Sequence, residues 1–152
     1  MRQESGRSLI EILGVLAIGA IMSVATISMY RSVRTTQLRT IATAELEQIV
    51  KNAKILTGAH GTYEGLSVDY LVKSGAIKNN LPPIGGTDWS VNASLDGSSF
   101  SINLTGLSSG ECQYFATKRP TWADSILING YEVDENPQCF STKTNLVSFI
   151  VK

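Results

Sequence analysis

Apolar residues fill positions 9–30 of this 152-residue chain almost without interruption, and Glu11 is the only charge among them. A run of about 20 such residues is the length needed to cross a hydrocarbon core as a helix. After Tyr30 the pattern changes character rather than stopping. Leu38, Ile41, Ala42, Leu46, Ile49, Val50, Ala53 and Leu56 recur at three- and four-residue steps, while Arg39, Thr40, Glu45, Glu47, Lys51 and Lys54 fall largely outside that stripe. Glu47 and Lys51 have the favourable i,i+4 spacing for an ion pair. No proline precedes Pro82, and Gly58, Gly61 and Gly65 are the first cluster of breakers. The pattern predicts one helix over residues 8–57, about 75 Å long at 1.5 Å per residue. Its first half is apolar all round, and its second half has one face to bury. A signal anchor followed by a linker is the alternative, and the unbroken stripe argues against a linker.

Beyond residue 58 the period shortens. Ser67 is placed to cap a short helix over residues 68–73, closed by Gly75. Pro82-Pro83 and Gly85-Gly86 mark an irregular connection. Trp89, Val91, Ala93 and Leu95 alternate with polar residues, as do Phe100, Ile102 and Leu104, with Asp96-Gly97-Ser98-Ser99 between them. This predicts a β-hairpin with one buried face that includes Leu95. Ser108 and Glu111 have capping-box spacing and open a helix carrying Cys112, Phe115 and Ala116, which ends before Pro120. Residues 125–128 and 131–133 flank Asn129-Gly130, a strong hairpin signal, and residues 146–151 read as a final strand. Four or five strands with the amphipathic helix across one face make an α+β head domain over residues 58–152.

Composition narrows the function. Net charge is zero and the basic residues form no stripe, which gives nucleic-acid binding no support. Cys112 and Cys139, in a small domain beside a membrane segment, read as a disulfide in an oxidising compartment, two separate buried thiols being the alternative. The apolar run is longer than that of a secretory signal peptide and is followed directly by Tyr30-Arg31-Ser32-Val33-Arg34, so the segment reads as retained. A lone carboxylate in such a segment is by default a functional position, which singles out Glu11.

Other candidate chemistry is thin. His60, the only histidine, reads as a solvated loop residue. Asp134-Glu135-Asn136 lacks the ligand repeat of a calcium loop. The sequons at Asn92 and Asn103 fall within predicted strands, and Trp89 and Trp122 read as core. Gly85-Gly86 lacks the lysine and helix of a phosphate loop. Arg31, Arg34 and Arg39 suit either lipid headgroups or a solvated helix face. The reading is therefore of a chain that is not an enzyme, with no cofactor and no metal.

The stretch Gly6-Arg7-Ser8-Leu9-Ile10-Glu11 resembles the processing site of type IV prepilins. The resemblance implies a leader of residues 1–6, cleavage between Gly6 and Arg7 by a prepilin peptidase, and N-methylation of Arg7. It also implies that Glu11 neutralises the N-terminal amine of a neighbouring subunit in an apolar filament core, where an unpaired charge is costly. Within the head, the run Phe100-Ser101-Ile102-Asn103-Leu104-Thr105-Gly106-Leu107, then Cys112 and a late Cys139, resembles the type IVb pilins of toxin-coregulated and conjugative thin pili. The chain departs from the family's usual pattern in carrying Arg7 where an apolar residue is common, in its short leader, and in lacking a mid-membrane proline.

The resemblance implies a pilin-like fold: a long helix over residues 7–57, membrane-spanning at about 9–30, on a head closed by a disulfide. It implies a structural subunit that sits in the inner membrane and then polymerises with itself into an extracellular pilus. Its partners would be the peptidase, an assembly ATPase, an inner-membrane platform and, before assembly, membrane lipid. A minor pilin or type II secretion pseudopilin is the alternative within that machinery, and a monomeric membrane-anchored binding module lies outside it. Arg2 and Arg7 against Arg31, Arg34 and Arg39 mildly favour a cytoplasmic head by the positive-inside rule. The cysteines and the resemblance favour the opposite side, which is the expectation adopted.

Overall fold

A computed structural model of the chain describes residues 4–58, 60–84 and 86–152. It comprises two compact units, Met1–Leu38 and Arg39–Lys152. The helix α1 (Glu4–Gly58) contributes to both. Within the described residues it already runs through Glu4-Ser5-Gly6-Arg7, ahead of the expected Ser8, since no proline stands there to forbid helical backbone.

In the first unit α1 carries its apolar side chains into the surroundings on all sides, as the pattern from residue 9 onward dictates. Several of its hydroxyl groups are satisfied within the helix. Ser23 Oγ donates to Gly19 O at 2.7 Å and Thr26 Oγ1 to Met22 O at 2.8 Å. Such back-bonding leaves few polar atoms that require water, so the segment tolerates an apolar environment.

In the second unit the stripe on α1 from Ala42 to Ala53 finds its surface, whereas Leu38 and Ile41, expected in the same stripe, stay exposed. Ala42, Leu46, Ile49, Val50 and Ala53 are buried in one core with Leu71, Trp89, Phe100, Phe115 and the inward residues of a five-stranded antiparallel sheet. The strands are β1 (Asp88–Ala93), β2 (Phe100–Leu107), β3 (Ser125–Ile128), β4 (Tyr131–Glu132) and β5 (Asn145–Val151). Their order is β1-β2-β5-β3-β4, so the C-terminal strand lies at the centre, between β2 and β3. The register places Val91 opposite Ile102, Ile102 opposite Phe149 and Phe149 opposite Ile126, a continuous buried row across four strands. Phe149 packs edge-on against Phe115 at 5.2 Å between ring centroids, and its ring lies tilted against Trp122 at 5.1 Å.

The local signals behave as the sequence predicts. Ser67 caps α2 (Val68–Lys73) by accepting from Tyr70 N. Ser108 and Glu111 form the reciprocal capping box of α3 (Ser109–Thr117). Asn129 and Gly130 both have positive φ, 52° and 91°, as the two-residue turn between β3 and β4 requires. Gly106, at φ 70°, allows the bulge between Leu104 and Leu107, where a Cβ would overlap Thr87.

Two expectations are corrected. Leu95 lies outside β1 and is fully exposed, because pairing ends at Ala93 opposite Phe100 and the chain turns at Ser94. Val133 begins a short 3₁₀ turn (Val133–Glu135) instead of extending β4.

Candidate assembly site

Over residues 9–30 the first unit presents one carboxylate on an otherwise uncharged apolar surface. Glu11 lies on α1 among exposed Leu9, Ile10, Ile12 and Leu13. Among the described residues no side chain forms an ion pair with it. The Gly6-Arg7 junction falls in the first turns of α1, but residues 1–3 and the side chain of Arg7 lie outside the described residues. Monomeric soluble proteins rarely expose so long an apolar surface, and this helix is long and apolar enough to cross a membrane.

The second unit carries a loop closed by a disulfide. Cys112, fully buried on α3, is bonded to Cys139, with Cα atoms 5.9 Å apart. The bond ties the segment between β4 and β5 to the core. Asn145 completes the attachment from the first position of β5, and it is wholly buried. The two N–H groups of its Nδ2 are shared among Leu107 O, Phe140 O and Thr142 O at 3.0–3.1 Å, and its Oδ1 accepts from Phe140 N at 2.7 Å and from Asn129 Nδ2 at 3.2 Å. Asn129 adds a donor to Gln138 O at 3.1 Å and accepts from Leu146 N at 2.9 Å. Asn145 was not singled out in the sequence, yet it shares the alternation of Val147, Phe149 and Val151. A polar residue on a buried phase must find partners, and that phase is the signal that marks it.

Replacing Cys112 and Cys139 together by serine is expected to lower stability by about 3.6 kcal/mol, from the loop entropy of about 28 residues in the chain-entropy account. Thermal unfolding of the oxidised chain against the double variant measures this, and matching midpoints would show that Asn145 and Asn129 suffice to hold the loop.

The remaining candidates are dispersed. His60 is exposed, and its N–H donates to Thr57 O at 2.8 Å in the turn after α1. Asp134 pairs with Arg119 at 2.6 Å on the surface. Among the described residues no three His, Cys, Asp or Glu side chains come together as a metal site would need. Asn92 is exposed on β1, whereas Asn103 is half-buried on β2 and donates to the hydroxyls of Ser90 and Ser101 at 3.2 Å. Trp89 is buried and donates to Asn80 O at 2.7 Å, and Trp122 is half-buried against Phe149. Arg31 and Arg34 are exposed. Arg39 departs from a solvated face: its guanidinium lies 5.4 Å from the centre of the Tyr114 ring, and Tyr114 OH meets Thr43 Oγ1 at 3.2 Å.

Neither a protein-family model nor a curated protein sequence matches the chain. The fold does match a solved structure, the crystal structure of TcpA, a type IV pilin from Vibrio cholerae El Tor biotype. The TM-score is 0.60 at 15% sequence identity, over 76% of this chain and 99% of that one. A helix packed on an antiparallel sheet, with the C-terminal strand central and a disulfide fastening the segment before it, is in this chain the fold of a type IV pilin.

Proposed function

We propose that this chain is a prepilin whose mature form polymerises through α1 into an extracellular type IV filament. The observation that carries the reading is the pairing of a pilin fold with an apolar helical surface, exposed on all sides, that bears one carboxylate. Before assembly that surface sits in the inner membrane, where lipid covers it. During assembly a second copy of the same helix replaces the lipid, and each subunit's head remains outside as the filament surface.

Processing precedes assembly. A prepilin peptidase cuts between Gly6 and Arg7 and methylates the new amine of Arg7. The Glu11 carboxylate of a neighbouring copy then neutralises that amine, because two unpaired charges in an apolar core cost far more than a pair. A cytoplasmic ATPase and a membrane platform supply the work of extraction, and the subunit itself catalyses nothing.

The test is an exchange of anchors. Replacing residues 9–30 by an unrelated apolar helix of equal length is expected to leave the chain inserted and its disulfide formed, while abolishing filaments recovered by shearing. A head that keeps its surface function on the foreign anchor would identify a monomeric anchored module instead.

A further inference from the structure

The turn between β3 and β4 is the only place in the sequence where an asparagine precedes a glycine, Asn129-Gly130. In an open chain that pair is chemically labile, because glycine has no Cβ to hinder approach to its own nitrogen. The Gly130 nitrogen attacks Asn129 Cγ and closes a succinimide ring. The Cγ–Nδ2 bond breaks, and the amide leaves as ammonia with the proton of the Gly130 nitrogen. Water then opens the ring at one of two bonds. Breaking the new N–Cγ bond leaves aspartate, and breaking the original peptide bond leaves isoaspartate linked through Cγ. Water is the only co-reactant, and nothing is oxidised or reduced.

The folded head holds this amide away from the reaction. Asn129 Oδ1 accepts from Leu146 N at 2.9 Å, while Nδ2 donates to Gln138 O at 3.1 Å and to Asn145 Oδ1 at 3.2 Å. Asn129 N donates to Leu146 O at 2.8 Å, and the φ values of 52° and 91° fix the turn itself. Ring closure requires the side chain to leave all three of its bonds. Both of its N–H groups are in use, and both reach the segment that the disulfide and Asn145 fasten to the core.

We propose that Asn129 is a covalent modification site gated by folding: the head keeps this amide while it is folded and loses it while it is open. Loss then bars the segment between β4 and β5 from docking again. In the aspartate product one carboxylate oxygen still accepts from Leu146 N. The other stands where Nδ2 stood and faces two acceptors, Gln138 O and Asn145 Oδ1, with no proton to offer either. The isoaspartate product adds a backbone atom to a two-residue turn and shifts the pairing of Ile128 with Tyr131. The proposal goes beyond the filament reading and does not depend on it.

The test uses the full chain in detergent. One sample stays folded and oxidised, and another is incubated reduced and denatured, then refolded and reoxidised. Peptide mass mapping follows the amide of Asn129. Trypsin cleavage after Lys143, exposed in the segment that Asn145 pins through Thr142 O, reports docking. The folded sample is expected to retain Asn129 while the denatured one converts. After refolding, converted chains are expected to be cut after Lys143 at least about tenfold faster than chains that keep the amide. Asn129→Asp should reproduce that sensitivity without incubation, and a failure to regain folded tryptophan fluorescence would report the same barrier. Asn92→Asp, which adds the same charge on exposed β1, should stay as resistant as the wild type. Equal amide loss in the two samples would overturn the gating. Equal cleavage of converted and unconverted chains, or of the Asn129→Asp and Asn92→Asp chains, would overturn the barrier to docking.

Discussion

Phe149→Ala is expected to cost the Arg39–Lys152 unit about 3–5 kcal/mol, a large share of the stability of a domain this size. Phe149 is wholly buried on β5, the central strand. Its ring meets Phe115 of α3 on one side and Trp122 on another, and its strand neighbours are Ile102 and Ile126. Truncation therefore opens a cavity where helix, loop and two strands converge, and β5, held in register by both neighbours, has little room to collapse into it. Trp89 and Trp122 both lie in this unit, so denaturant unfolding followed by tryptophan fluorescence reports it directly. A midpoint shift corresponding to under 1 kcal/mol would mean the site relaxes around the lost ring. Leu95→Ala is the control expected to leave the midpoint unchanged, since Leu95 is fully exposed.

Glu11→Ala is expected to insert normally, to be processed, and to give no filaments, or at least about 10²–10³-fold fewer. The magnitude follows from chemistry in an apolar environment. Removing one partner of a buried ion pair costs about 3–5 kcal/mol because the other charge is left without compensation. In the proposed mechanism the remaining charge is the methylated amine of the adjoining copy. Glu11→Asp, which keeps the charge but shortens its reach, should fall between the two. Quantifying sheared filaments against the membrane-bound subunit separates an assembly defect from an insertion defect. Full piliation by Glu11→Ala would remove Glu11 from the mechanism.

Much of the fold is legible where a local signal suffices. The spacing of Ser108 and Glu111, the pair Asn129-Gly130, and the alternation in residues 100–104 each act within a few residues, and each produces the expected element. Legibility fails where the outcome depends on distant partners. Alternation carries on through Leu95, but the pairing of Ala93 with Phe100 and the bonds of Asp96 to Ser94 and Ser98 close the turn earlier. Arg39 looks like a helix-surface cation until α3 brings Tyr114 beneath it. Asn145 gains its role only when Asn129, Leu107 and Phe140 converge on it. The central place of β5 is likewise non-local, since nothing within residues 145–151 specifies its neighbours.

The candidate assembly site is the reverse case. Glu11 is conspicuous in the sequence as one charge in an apolar run, and the fold of a single chain adds no partner for it among the described residues. Its partner in the proposed mechanism belongs to another copy. The head contributes what the sequence resemblance lacks, an architecture shared with a solved pilin at 15% identity.

The intact mass and N-terminal sequence of the protein, recovered from its native envelope and from sheared surface material, decide whether it is a processed pilin. The expected result is a chain beginning at Arg7 with one added methyl group, present in both fractions. A chain still beginning at Met1 in cells with an active prepilin peptidase, confined to the membrane, would contradict it.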